Sequence, residues 1–253
     1  MTTGSTAYGI HAVRVLLSRH PQRVRRVLLA GGRDAGRLAE LRNLAERSGI
    51  RVVTADDATL AQLAEGGRHQ GVVAELAQRA QDPETQLEEA LEAARGAPLL
   101  LVLDGVQDPH NLGACLRSAD AAGVAAVIVP RDRAAGLTPV VRKVAAGAAE
   151  TVPLVPVVNL ARALRDLKQR GLWLVGTDDA ADRTIYDADL AGPVALVMGS
   201  EGEGMRRLTR ECCDDLVCIP MAGAVESLNV SVATGVVLFE AVRQRALLQA
   251  GTQ

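Results

Sequence analysis

Aromatic side chains are nearly missing: they make up 2% of the 253 residues, as Tyr8, Trp173, Tyr186 and Phe239. A core of Leu, Val and Ala is therefore predicted, and an aromatic platform for stacking single-stranded bases is excluded. The four cysteines, Cys115, Cys212, Cys213 and Cys218, form no CxxC pair and are too few and too badly spaced for a disulfide framework. The four histidines, His11, His20, His69 and His110, are scattered, so no metal site is legible. Lysine is limited to Lys143 and Lys168, which leaves arginine to carry the positive charge. No apolar run approaches the ~18 residues of a membrane span, and the first residues lack the apolar region of a signal peptide. The expectation is a cytoplasmic protein without membrane contact.

What is present is unevenly distributed. The net charge is −2, yet residues 1–51 hold ten arginines against Asp34, Glu40 and Glu46, a local balance of +7. Residues 52–110 reverse it, with three arginines against eleven acids. A basic first segment on a near-neutral chain is the electrostatic footprint of a phosphate-binding surface. Its candidate RNA-binding residues are Arg14, Arg19, Arg23, Arg25, Arg26 and Arg33. The plainer alternative is a solvated, Arg-rich face.

The length suits a small domain joined to a medium one. In the first part, "YGIHAVRVLLSR", "GRLAELRNLAERSG" and "ATLAQLAE" have helical spacing, while "VRRVLLA", "RVVTA" and "GVVAEL" read as strands. Residues 1–79 are expected to form a small α/β substrate-binding domain. Residues 80–97, acidic and punctuated by Pro83 and Pro98, are expected to be a partly helical linker. From residue 98 to 253 the strands lengthen and become wholly apolar: "LLLVLD", "AAVIVP", "VPLVPV", "LWLVGT", "VALVMG" and "LVCIP". Helical stretches separate most of them, among them "NLGACLRSADAAG", "TPVVRKVAAGAA", "NLARALRDLKQRG" and "GMRRLTRECC". The fold class is α/β, with a parallel sheet covered by helices on both faces.

Ligands of such sheets bind at the carboxyl ends of strands, which singles out the loops after Asp104, Met198 and Ile219. In the first, Asn111 has the chemistry of a helix cap. Arg117 lies two turns into an otherwise small and apolar helix, so it should reach an acid or an anionic ligand, with Asp120 as a structural partner. In the second, "VMGSEGEGM", Gly199, Gly202 and Gly204 permit close backbone approach. Glu201 and Glu203 suit a cationic or hydroxyl-bearing ligand better than a phosphate. In the third, Ser227 can cap the following helix, which leaves Asn229 and Ser231 as surplus polar groups. They suggest a helix entrance wedged between a ligand and another protein surface.

Taken together, "NLGACLRSADAAG", "LVMGSEGEGM" and "IPMAGAVESLNVSVATGVVLFEAV" resemble, in order and spacing, the three signature motifs of the SpoU/TrmH family of RNA ribose 2′-O-methyltransferases. "YGIHAVRVLL" and "RHQGVVAE" look like the RNA-binding domain of members that methylate a guanosine ribose in 23S ribosomal RNA. The resemblance implies an α/β fold with a deep trefoil knot and S-adenosylmethionine as methyl donor, with no metal. By motif, it places cofactor contacts at Gly199, Ile219 and Leu228, with Met221, Thr177, Ser227 and Asn229 nearby. It makes Arg117 the catalytic residue that draws the proton from the 2′-hydroxyl; because a free guanidinium stays protonated, Arg117 is expected to clamp the target phosphate and stabilise the developing alkoxide, whether or not it also takes that proton. Asn111, Glu201, Ser227 and Asn229 match the other polar positions of the family site. It also implies a homodimer with the site at the interface and Arg117 contributed across it. Relatives acting on transfer RNA, or conferring resistance to a ribosome-directed antibiotic, share these motifs; a non-catalytic assembly factor is the reading they favour least.

Overall fold

The computed structural model describes residues 6–31, 35–64, 66–76, 82–94 and 96–250. Two compact units result, one of residues 1–81 with 146–151, the other of residues 82–145 with 152–253. The first unit contains β1 (Thr6–Tyr8), α1 (Ile10–Arg19), β2 (Val24–Ala30), α2 (Ala35–Arg47), β3 (Arg51–Ala55), α3 (Asp57–Leu63) and β4 (Val72–Leu76). The strand order is β1-β4-β2-β3, with β4 antiparallel to both neighbours and β2 parallel to β3. Side chains alternate across β2. Val27 and Leu29 join Val13, Leu16 and Leu17 of α1 and Leu41 of α2 in one core, while Leu28 meets Leu60 of α3 in another. β1 takes in Tyr8, the first residue of the stretch expected to be helical. Its three residues are too few for a period and are held by pairing with β4.

The rest of the chain contains α4 (Pro83–Glu92), β5 (Leu99–Asp104), α5 (Pro109–Ala121), β6 (Ala126–Pro130), α6 (Pro139–Ala145), the single turn α7 (Ala148–Thr151), β7 (Leu154–Val157), α8 (Leu160–Gln169), β8 (Trp173–Thr177), β9 (Val194–Gly199), α9 (Arg207–Cys212), β10 (Asp215–Val217) and α10 (Val230–Ala250). In that run of the chain α7 is the exception: it belongs to the first unit, and the other elements make up the second. The six strands are all parallel, in the order β10-β8-β9-β5-β6-β7. Every residue of β5 is buried, as a central strand covered on both faces requires. On one face α8 presents Leu160, Leu164 and Leu167, spaced as an amphipathic helix demands, to Leu100, Val102, Leu174 and Ala195. Helix α4, within the stretch expected to link the domains, adds Leu87, Ala90 and Leu91 to that core. α5 and α10 pack against each other, and α10 also contacts β9.

Two elements differ from their sequence-based expectation. The helix anticipated over "TPVVRKVAAGAA" breaks at Ala146 (φ +51°) and Gly147 (φ +98°), because left-handed residues cannot continue a right-handed helix. The strand anticipated over "LVCIP" ends at Val217. Cys218 then leaves the sheet for an isolated bridge to Thr184, and its C=O accepts from Ile185 N–H at 2.9 Å.

Candidate active site

Because the strands are parallel, Asp104, Thr177, Gly199 and Val217 end β5, β8, β9 and β10 on one edge of the sheet. The loop after β9 folds back on itself. Ser200 and Gly204 exchange N–H···O bonds of 3.0 Å in both directions. Gly202 (φ +81°) and Gly204 (φ +65°) supply the left-handed turns. At Gly199 a Cβ would sit 2.2 Å from the carbonyl carbon of Gly204, so no side chain fits there.

The far end of this loop is anchored by Arg206. Its N–H donates to Asp104 Oδ2 at 2.9 Å, its Nε to Oδ1 at 2.6 Å, and its Nη2 lies 2.5 Å from Oδ1. The Asp104 side chain is 0% exposed, and a buried carboxylate needs such partners. This clamp was missed in the sequence. Its signal was the acid closing the apolar run "LLLVLD".

Glu201, near the loop's tip, joins the other two motifs. Its Oε1 accepts from Asn111 Nδ2 at 3.2 Å, from Asn229 Nδ2 at 2.6 Å and from Val230 N–H at 3.1 Å. Asn229 Nδ2 also donates to Asn111 Oδ1 at 3.0 Å. Asn111, Glu201 and Asn229 thus form one network at the start of α10, where the helix dipole favours a carboxylate. Both donors of the Asn229 amide are used, whereas Asn111 keeps a spare N–H and Glu201 a second oxygen.

Two capping expectations are corrected by this geometry. Asn111 does not cap α5: Asp108 does, accepting from His110 N–H at 3.0 Å, with Pro109 fitting the first helical position. Ser227 does not cap α10, which starts three residues later. Asn229 Oδ1 takes that role, accepting from Ser231 N–H at 3.0 Å and from Ser231 Oγ at 2.6 Å. Asn229 and Ser231 are therefore occupied by the cap itself.

A cavity of about 450 Å³ opens beside this network, and Thr177, Gly199, Ile219, Met221, Ser227 and Leu228 all border it. Its rim is acidic, with Glu201, Glu203, Asp179 and Glu226. Asp178, also on the rim, is paired with Arg210 at 2.8 Å. The backbone N–H and C=O groups of Ile219 and Leu228 make no hydrogen bond among the described residues. A glycine wall, free backbone groups and several carboxylates fit a cationic ligand carrying a heteroaromatic ring. The structure thus brings together the cofactor positions implied by resemblance, except that Asn229 lies in the adjoining network and does not line the cavity.

Arg117 stands apart. It is exposed on α5, does not border the cavity, and makes no hydrogen bond or ion pair among the described residues. Of the two partners expected for it, Asp120 is ruled out and an anionic ligand is left: Cys115, Leu116 and Ala119 turn inward and Arg117 turns outward. Two of the thiols are held in the unreactive protonated form. Burial pushes Cys115 up to about 11 and Cys213 up to about 12. No group of three His, Cys, Asp or Glu side chains able to hold a metal ion occurs among the described residues. Nor is any helix among them long and apolar enough to cross a membrane.

The arginines of the first unit divide. Arg14 pairs with Glu40 at 2.8 Å, and Arg26 grips Glu75 with Nε at 2.7 Å and Nη2 at 2.5 Å. Arg23 donates to the Glu150 carbonyl. Arg19 and Arg25 are exposed and have no partner among the described residues. Arg33 lies outside the described residues.

Residues 98–239 match the model of the SpoU rRNA Methylase family, and residues 6–81 match that of the RNA 2′-O ribose methyltransferase substrate-binding domain. The chain is 60% identical over 238 residues to the 23S rRNA (guanosine-2′-O-)-methyltransferase RlmB of Pseudomonas putida, covering 94% of this chain and 96% of that one. It is 59% identical over 249 residues to the protein of the same name from Pseudomonas aeruginosa, covering 98% and 100%. Among solved structures it is similar to the SpoU methyltransferase AviRb of Streptomyces viridochromogenes in complex with the cofactor AdoMet. There the TM-score is 0.78 and the identity 29%, over 96% of this chain and 91% of that one. The six-stranded parallel sheet with helices on both faces is accordingly the knotted α/β fold of these enzymes. With sequence, sheet order and motif geometry in agreement, this chain is a member of the SpoU rRNA methylase family.

Proposed function

We propose that this protein transfers a methyl group from S-adenosylmethionine to the ribose 2′-hydroxyl of a guanosine in 23S ribosomal RNA, in the cytoplasm. The observation that carries this reading is the Asn111–Glu201–Asn229 network, which closes three distant motifs beside an acid-rimmed cavity. Bound there, S-adenosylmethionine supplies an electrophilic methyl on a sulfonium. Glu201 and Glu203 favour that positive charge, and the free backbone groups of Ile219 and Leu228 suit the edge of an adenine. Gly199 leaves room for the ligand's close approach. Thr177, Met221 and Ser227 complete the walls.

The chain's own groups then handle the acceptor. The spare N–H of Asn111 and the second oxygen of Glu201 orient a sugar hydroxyl, because their other hydrogen-bonding capacity is fixed within the network. A hydroxyl is a weak nucleophile until its proton is drawn off. Arg117 is the cation for that step: it holds the target phosphate and stabilises the alkoxide as it forms, while the proton passes to solvent. Since Arg117 does not reach the cavity of its own chain, we assign it to the site of a second copy in a homodimer. The neighbouring helix α10 supports this, because Val232 and Phe239, seven residues apart on one face, are exposed. Arg19 and Arg25, exposed and without a partner among the described residues, are cations available there to RNA phosphates.

The test is methyl transfer from labelled S-adenosylmethionine to 23S ribosomal RNA and to bulk transfer RNA, both from cells lacking this enzyme. Label confined to the ribosomal RNA is expected. Label confined to transfer RNA would replace the substrate, and failure to bind S-adenosylmethionine in calorimetry would leave only an assembly-factor role.

A further inference from the structure

The Ser200–Met205 loop and Val230 border a second cavity as well, wider than the first at about 920 Å³. Asn111 and Glu201 line it, so the acceptor-orienting network faces this space. Arg133, on the loop between β6 and α6, also borders the cavity. Arg133 holds φ +59°, one of only three non-glycine residues with positive φ among those described. A residue with a Cβ pays about 1 kcal/mol or more to sit there, whereas glycine adopts it freely and asparagine more readily. The strain is maintained from both sides. Arg131 N–H donates to Val157 C=O at 2.8 Å, and Ala135 N–H to Val106 C=O at 3.1 Å, which ties this loop to the one after β5. The Arg133 side chain is exposed and makes no hydrogen bond or ion pair among the described residues. A turn that would prefer glycine therefore carries a long, unpaired cation at the mouth of a cavity shared with the reaction site. Backbone strain of this kind points from geometry to a use for the side chain.

Building on the proposed reaction, we propose that the second cavity seats the target nucleotide and that Arg133 grips its phosphodiester. With Arg133 on the phosphate, Asn111 and Glu201 meet the adjacent ribose at the wall shared with the cofactor cavity. Arg133 is a substrate-positioning residue distinct from Arg117: the target ribose is flanked by two phosphates, and each arginine takes one.

The experiment compares wild type, Arg133→Gly and Arg133→Lys in binding to unmethylated 23S ribosomal RNA across a salt series, with turnover measured in parallel. Arg133→Gly relieves the backbone, so its thermal stability should equal or exceed that of wild type, which separates side-chain loss from misfolding. Its RNA affinity and kcat/KM should fall about tenfold, and the salt dependence should flatten by about one phosphate contact. Affinity for S-adenosylmethionine should not change. Arg133→Lys should recover most of the loss, since a phosphate accepts a point charge. RNA affinity of Arg133→Gly within twofold of wild type would overturn the proposal. So would a lysine variant as weak as the glycine variant, which would move Arg133 from phosphate to base. Wild-type enzyme that binds this RNA without methylating it would refute the reaction proposed above, while the binding comparison would still decide the role of Arg133.

Discussion

Arg206→Ala is expected to destabilise the second unit and loosen the cofactor loop. Among the described residues, every hydrogen bond and ion pair of the enclosed Asp104 carboxylate comes from Arg206: the main-chain N–H, Nε and Nη2. The substitution keeps the first and removes the other two. Breaking a wholly buried ion pair costs about 3–5 kcal/mol. Here the Arg206 side chain is 49% exposed, so in the variant water reaches the carboxylate from that side, and one hydrogen bond persists. Those two effects reduce the expected cost to about 2 kcal/mol. For a unit of this size that is a fall of about 4–8 °C in Tm. Trp173, the only tryptophan, lies in β8 of the same unit and reports its urea unfolding by fluorescence. S-adenosylmethionine affinity should weaken as well, because the Ser200–Met205 loop loses its far anchor. Arg206→Lys, which keeps charge but not the forked donors, should fall between wild type and the alanine variant. An urea midpoint and cofactor affinity indistinguishable from wild type would refute the claim that this pair holds the loop.

Three further outcomes follow from the geometry. Co-refolding equal amounts of Arg117→Ala and Asn229→Ala chains should restore about a quarter of wild-type turnover, since half of the random dimers are mixed and each holds one whole site. No recovery would place Arg117 in its own chain's site. Gly199→Ala should abolish cofactor binding in calorimetry, because its Cβ would fall 2.2 Å from Gly204; normal binding would show that the loop yields. Cys115 and Cys213, held as thiols by burial at about 11 and about 12, should resist a thiol reagent at neutral pH until the protein is unfolded. Rapid labelling of either in the native protein would contradict that.

The alternation of wholly apolar strands with helices was enough to anticipate a covered parallel sheet and the strand ends that carry the site. The glycines after Met198 were legible for the same reason, since a loop that must approach its own backbone has few alternatives. The caps lie elsewhere than residue chemistry alone suggests. Asn111 and Ser227 have capping chemistry, but "DP" before "HN" already places Asp108 at the helix entrance, and Asn229 is nearer the true start of α10. The network around Glu201 joins residues 90 and 28 positions apart, which no local periodicity can reveal. Net charge in the first segment was legible, yet the partition between paired Arg14 and Arg26 and unpaired Arg19 and Arg25 depends on which acids the fold brings near. That Arg117 needs a partner was legible from its small, apolar neighbours, but its direction was not: the helix turns Cys115, Leu116 and Ala119 inward and the guanidinium out.

The most direct measurement of the central claim is mass spectrometry of a nuclease digest of 23S ribosomal RNA, taken from cells lacking the enzyme and incubated with it and S-adenosylmethionine. The account predicts 2′-O-methylguanosine at a single position, absent when Arg117→Ala replaces the wild type and cofactor binding is unchanged. A methyl group on a base, on a ribose other than that of guanosine, or formed equally well by Arg117→Ala would contradict it.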